Sequence, residues 1–196
     1  PLSIAKLLLT IERALEVDKL QRENSSLKQM LVPLDEPIGK SSIMTRLRDQ
    51  IKRIANHDTW VLISGEAGTG KMSFARYLHS LSLRQDGPFI EVAAGSISGE
   101  NSGRELFGFE ENERVQYGLL EQANQGMLFI DEVADLDMQT QARLLSSLQS
   151  QSVTRSGGIN PVNINVRVVG ATRLDLAQEV SQGRFREELY YQLNVV

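Results

Sequence analysis

Hydrophobic positions change their period along this chain, and the change divides it. From Leu2 to Leu31 there is no Gly or Pro, and Ile4, Leu8, Ile11 and Leu15 recur at helical spacing before Leu20, Leu27 and Leu31 continue out of phase. One long helix is predicted. Its charges, Glu12, Arg13, Glu16, Asp18, Lys19, Arg22 and Glu23, alternate in sign, which suits a face turned to solvent or to a partner. A short coiled coil pairing two copies and a single connecting helix docked on its own domain both satisfy this broken heptad. Pro33 and Pro37 bracket a loop, so the helix ends before them. Ser41 or Ser42 then caps a second helix, with Ile43, Leu47, Ile51 and Ile54 on one face and an end near Asn56.

Beyond that point the pattern becomes short apolar runs at 60–64, 89–92, 127–130 and 166–170, separated by helical patterning such as 74–81 and 140–148. Alternating strand and helix predicts an α/β fold, a parallel sheet covered on both faces by helices. No internal repeat or low-complexity tract interrupts it. Composition narrows the function. The 196 residues carry 25 acidic against 21 basic side chains, a net charge of −4, which argues against broad nucleic-acid binding by this piece, and any DNA-binding module is expected elsewhere. With no cysteine, thiol catalysis, thiolate zinc and disulfides are excluded and a cytoplasmic setting is expected. No apolar run approaches the ~20 residues of a membrane span, and no basic n-region marks a secretory signal.

The chemistry-bearing segment follows the first predicted strand. Gly65-Glu66-Ala67-Gly68-Thr69-Gly70-Lys71-Met72 is a G-x-x-x-x-G-K loop opening a helix. Its glycines let the backbone aim N–H groups inward, the helix N-terminus adds a positive dipole end, and Lys71 supplies a cation for β and γ phosphates. Those are the needs of a nucleoside triphosphate. Met72 replaces the Ser or Thr whose hydroxyl normally helps to hold Mg²⁺, so the metal requires another ligand. The apolar strand ending in Asp131-Glu132 offers one. Asp131 lies at the carboxyl edge of the sheet, where open α/β folds bind ligands, and Glu132 can polarise a water. His57 and His79 have no carboxylate at metal spacing and are expected to be structural. Trp60 opens a strand; core packing is expected over base stacking.

Together these residues resemble the AAA+ ATPase domain of the sigma-54 activator family, the NtrC-like response regulators. The resemblance runs from Ile38-Gly39 through Gly65 to Lys71, Glu105-Leu106-Phe107-Gly108, Leu120-Glu121-Gln122-Ala123, Asp131-Glu132, Arg155 to Gly158, Ala171-Thr172 and Gly183-Arg184-Phe185-Arg186-Glu187-Glu188-Leu189. Ile11-Glu12-Arg13-Ala14-Leu15 and Gln21-Arg22-Glu23-Asn24 are similar to its NtrX branch. The resemblance implies a P-loop NTPase three-layer αβα sandwich at 36–196, preceded by the last helix of a receiver domain at 1–16 and a helical linker at 17–35. It implies ATP or ADP with Mg²⁺ as ligands. Ile38 and Gly39 would lie near adenine, and Gly65, Glu66, Ala67, Gly68, Thr69, Gly70, Lys71 and Met72 around the phosphates. Asp131 would bind magnesium and Glu132 would act as base, with Thr172 as a sensor. Arg186 matches an arginine finger that reaches a neighbouring subunit in a hexameric or heptameric ring; taken without the resemblance, an ion pair with Glu187 or Glu188 is preferred. A sensor kinase acting through the receiver and DNA bound by a C-terminal domain are the implied partners. The family's helical lid and DNA-binding domain would follow Val196.

Several family positions differ. The surface loop Gly-Ala-Phe-Thr-Gly-Ala, which touches the sigma factor, belongs between Glu110 and Gly118, where only Glu111-Asn112-Glu113-Arg114-Val115-Gln116-Tyr117 stands. The asparagine that holds the catalytic glutamate in an off position aligns with Ala93, a second arginine aligns with Gln192, and the residue after the sensor threonine is Arg173, whose charge either serves the phosphates or faces solvent. The expected function is therefore an ATP-binding central domain of a response regulator controlling transcription, with weak hydrolysis and a doubtful sigma-54 contact. The alternative is a non-enzymatic oligomerisation domain that does not act through sigma-54.

Overall fold

The computed structural model describes residues 36–97, 100–111 and 114–194, together with Ile11, Arg13, Glu16 and Lys19. The chain divides into two compact units, Pro1–Asp35 and Glu36–Val196. In the first, the four described residues are helical. The remaining expectations for 1–35, the pairing of linker helices and the loop at Pro33 among them, lie outside the described residues.

Helix α1 (Ser42–Ala55) opens at Ser41, whose side chain accepts the Met44 N–H at 3.2 Å, so of the two candidate serines Ser41 is the cap. It stops at Asn56 as the pattern predicts. Strand β1 (Val61–Ser64) leads through the glycine-rich loop into α2 (Lys71–Leu81). Strand β2 (Phe89–Ala93) is followed by α3 (Glu100–Phe107), a hairpin of β3 (Phe109–Glu111) and β4 (Arg114–Gln116), and the single turn α4 (Leu119–Gln122). After β5 (Met127–Asp131) come α5 (Met138–Gln149), a second hairpin of β6 (Ser152–Thr154) and β7 (Pro161–Asn163), β8 (Arg167–Thr172), α6 (Leu176–Ser181) and α7 (Glu187–Leu193).

The main sheet has four parallel strands in the order β1-β8-β5-β2. The last strand in sequence is inserted at its centre. Alternation along β5 shows why a central strand reads as an unbroken apolar run: Met127 and Phe129 join Val61, Val169 and Ala171 against Ile51 and Ala55 of α1 and Ala75 and Leu78 of α2. Leu128 and Ile130 instead join Val92 and Val168 against Leu144 of α5 and Leu189 and Leu193 of α7. Both faces are buried, giving the three-layer α/β sandwich that the sequence predicts. Trp60 is half-buried against the second of these cores, in the packing role expected of it.

Arg167 is the largest polar group inside. Its guanidinium donates to Ala55 O at 3.1 Å and Ile54 O at 2.9 Å, satisfying two carbonyls at the end of α1, and to Thr59 O at 3.1 Å in the segment before β1. The two hairpins, which the periodicity does not predict, are joined by Arg155. Its Nε and Nη2 donate to the two carboxylate oxygens of Glu121 at 2.9 and 2.7 Å, and Nη1 donates to Glu110 Oε2 at 3.0 Å. His79 packs tilted against Phe89, with ring centroids 5.4 Å apart, a structural place as expected.

Candidate functional site

The site forms at the carboxyl ends of β1, β5 and β8. At the end of β1 the chain turns through 65–70, and Gly68 and Gly70 take left-handed φ values of +78° and +84°. A Cβ at Gly68 would meet nothing within 4 Å, so the loop's outer side is open. No side chain caps α2, whose first-turn N–H groups therefore face the loop without a side-chain acceptor. This is the backbone requirement for anion binding at a helix start. The α2 helix begins at Lys71, three residues before the predicted apolar face, because Gly70 and Lys71 enter the helix directly from the loop.

Lys71 is 8% exposed. Its ammonium donates to Gly65 O at 3.0 Å and Glu66 O at 3.2 Å and lies 3.4 Å from Glu132 Oε1. Thr69 closes the turn by donating its hydroxyl to Glu66 O at 2.8 Å. The loop is thus folded around its own lysine. Beside it opens a cleft of about 380 Å³, lined by Met44, Leu47 and Ile51 of α1, Ile63 and Gly65, and Phe74 of α2. Its walls are mostly apolar, with Gln50 of α1 among them, and Ser64, Thr69 and Lys71 add polar groups where the glycine loop meets it, the arrangement of a ligand pocket.

Gly39 packs on Met44, which lines this cleft: a Cβ there would stand 2.7 Å from Met44 Cγ, so the segment before α1 lies close on the helix. Arg48 holds it by donating to Gly39 O and Pro37 O at 2.8 and 2.9 Å. Ile38 is 90% exposed and is not among the lining residues. Lys52, Tyr77 and Arg48 surround the Glu36 carboxylate and hold its pKa below the ordinary 4.5, fixing the start of the segment.

Asp131 ends β5, opposite Ala93 of β2, and its Oδ1 accepts the Glu132 N–H at 3.2 Å. Glu132 has a left-handed backbone (φ 50°, ψ 55°), a costly conformation for a residue with a Cβ, and one that turns the chain sharply off the strand. Among the described residues no group of three or more His, Cys, Asp or Glu side chains converges to hold a metal ion. A lone strand-end carboxylate still fits magnesium, which takes most of its ligands from phosphates and water rather than from a protein cage. Met72 and Asp131 line a second, smaller cleft with Glu91, Ala93, Ser96 and Glu105.

The structure brings Gly65–Lys71, Asp131 and Glu132 together, and separates others. Thr172 is buried; its carbonyl accepts the Gly65 N–H at 3.0 Å, while its hydroxyl accepts the Leu174 N–H at 3.0 Å. It supports the loop from behind. Arg186 stands at the cap of α7, its Nε donating to Met138 O at 3.1 Å and its N–H to Gln141 Oε1 at 2.8 Å. The local ion pair with Glu187 or Glu188 is not formed, because the start of α5 supplies a closer acceptor. Sequence reasoning missed buried Gln141, which also donates to Leu136 O and Arg184 O and so sets the approach to Arg186. It also missed the contact of Arg173 with Glu132. Neither pair has a local spacing that would reveal it.

A strand-to-helix glycine loop with its lysine, facing a strand-end carboxylate across a parallel sheet, defines a P-loop NTPase fold. The comparisons agree. The sigma-54 interaction domain family model matches residues 37–196. The nitrogen assimilation regulatory protein NtrX of Azorhizobium caulinodans is 40% identical over all of this chain and 43% of its own length. The C4-dicarboxylate transport transcriptional regulatory protein DctD of Pseudomonas aeruginosa is 41% identical over 96% of this chain and 43% of its own. The crystal structure of NtrX from Brucella abortus in complex with ATP is 39% identical and superposes with a TM-score of 0.79, over 100% of this chain and 42% of that one. The chain belongs to the sigma-54 interaction domain family, and it spans less than half the length of the curated relatives it matches.

Proposed function

We propose that this chain is the nucleotide-binding central domain of an NtrC- or NtrX-type response regulator that controls transcription, and that it hydrolyses ATP slowly. The observation that carries this reading is the placement of Lys71 Nζ, inside the glycine loop and 3.4 Å from Glu132, where that loop meets a mostly apolar cleft. An entering triphosphate offers Lys71 stronger acceptors than the Gly65 and Glu66 carbonyls it now uses, and the uncapped start of α2 adds N–H donors. The cleft between α1 and α2 is large enough for a purine. That the similar NtrX of Brucella abortus is found with ATP in one crystal and ADP in another supports the same ligand here.

Magnesium, when bound with the nucleotide, would supply charge neutralisation of the phosphates. Asp131 would hold it, and Glu132 would act as the base for the attacking water. Arg186 would reach the phosphates of an adjoining subunit in a ring. An arginine supplied in trans is worth about 10³- to 10⁵-fold in rate. A chain with Gln192 in place of a second arginine and Ala93 in place of a switching amide is therefore expected to bind ATP well and turn it over slowly. The hairpin β3–β4 is short and polar where the family's sigma-54 loop would project, which supports regulation by another contact. Residues 1–16 and 17–35 are assigned to the end of a receiver domain and its linker. Phosphorylation by a sensor kinase and DNA binding belong to the rest of the regulator.

Lys71→Ala tests the cradle. Calorimetry on the full-length protein should show ATP affinity reduced by about 100-fold, as expected when a charge-assisted contact is lost, with an unchanged melting temperature in the absence of nucleotide. Unchanged affinity would sink the proposal.

A further inference from the structure

Glu132 is held from two sides. Its Oε1 faces the Lys71 ammonium at 3.4 Å, while Oε2 accepts the backbone N–H of Arg173 at 3.1 Å and lies 3.8 Å from the Arg173 Nε. On the β2 side the neighbouring position is Ala93, opposite Asp131 in register, and a methyl group offers nothing to a carboxylate. We propose that Arg173 is a positioning residue that holds Glu132 away from the attacking water. It restrains from β8 the carboxylate that an amide at position 93 would restrain from β2. The inference rests on the nucleotide reading given above.

The two holds differ in how long they last. Lys71 belongs to the phosphate loop, and a triphosphate draws its ammonium away from Gly65 O, Glu66 O and Glu132 alike. Arg173 lies outside that loop, just past the end of β8, and its side chain is 58% exposed, so nothing in the loop's rearrangement displaces it. It therefore remains on Glu132 when the site fills. A carboxylate oxygen that already accepts an N–H and faces a guanidinium has fewer free lone-pair directions with which to orient a water. The backbone N–H survives any substitution at this position, and the side-chain contact is long and solvent-facing. Release of the guanidinium alone is thus expected to speed hydrolysis by about two- to fivefold, the range of an exposed ion pair.

Steady-state ATP hydrolysis and calorimetry on the full-length protein decide the matter. Arg173→Ala should raise kcat about two- to fivefold and leave KM for ATP unchanged. Arg173→Lys, which keeps a cation near Oε2, should stay at the parental kcat. The proposal is overturned by an Arg173→Ala kcat equal to the parental one, with absent turnover in both counted as equal. A fall in kcat with a rise in KM overturns it as well, by making Arg173 a phosphate ligand, as does an Arg173→Lys rate matching that of Arg173→Ala. If the parental protein shows no ATP binding in calorimetry, the nucleotide reading itself falls and takes this inference with it. If it binds ATP and the Arg173→Ala rate does not move, the role of Arg173 alone is lost.

Discussion

Among individual residues, the charged side chains divide into those that hold the chain and those that hold the site. Arg84 grips Asp58 through both carboxylate oxygens, at 2.8 and 2.6 Å, and reaches Asn165 ahead of β8. The Arg84 hydrogen bonds hold the Asp58 carboxyl below its ordinary 3.8. A carboxylate with a depressed native pKa stabilises the fold above the unfolded value and loses that contribution as pH falls through the native one. The Asp58 side chain is 55% exposed, so its share is modest. Asp58→Asn should cost less than about 1 kcal/mol at pH 7, and the gap to the parental protein should close at an acid pH below the lowered native value. Denaturant unfolding at both pH values checks this; a gap that persists at low pH would separate the effect from titration. Lys71 is of the other kind. It is buried against carbonyls that a phosphate can outcompete, so its interactions in the free protein are placeholders rather than structure.

At the scale of elements, the parallel core was legible and the insertions were not. Strands β5 and β8 announce themselves because they are covered on both faces, β1 and β2 as short apolar runs at the sheet edges, and the helices between them keep a 3.6-residue stripe. The observed strands differ from the predicted runs only at their ends. Strands β3, β4, β6 and β7 have three residues each, too few to show a period, and much of their surface is polar. What fixes them is Arg155, whose partners Glu121 and Glu110 lie 34 and 45 residues away. The Glu121 side chain is only 7% exposed, so Arg155→Ala leaves a carboxylate buried without its cation. The expected cost is about 2 kcal/mol, together with faster amide hydrogen exchange in both hairpins. Adding Glu121→Gln should recover part of it, and no recovery would show that the pair is not coupled.

For the whole molecule, the insertion of β8 between β1 and β5 is the decisive step. It sets Thr172 behind the phosphate loop and brings Arg173 to Glu132. Ring assembly would complete the site from outside, through Arg186. A ring enzyme gains specific activity as concentration drives assembly, and a chain that keeps Arg186 but has Gln192 in place of the second arginine gains less. Specific ATPase activity of the full-length protein is expected to rise across the assembly range by less than the roughly 10³- to 10⁵-fold of a full trans arginine contribution. Addition of sigma-54 should not raise it. A steep rise with concentration, or stimulation by sigma-54, would overturn the slow-turnover reading.

The amino-acid sequence by itself determined the alternation of strand and helix, the phosphate loop and the carboxylates at the end of β5, because each is written within a few consecutive residues. A helix stripe, a buried run and a glycine turn are all set by near neighbours. Only the tertiary structure decided that Thr172 faces away from the cleft, that Gln141 positions Arg186, and that Arg173 restrains Glu132. The contacts of Arg173 with Glu132 and of Arg186 with Gln141 join residues 41 and 45 positions apart, and they exist only once strand order has set the ends of β5 and β8, and the helices that follow them, side by side.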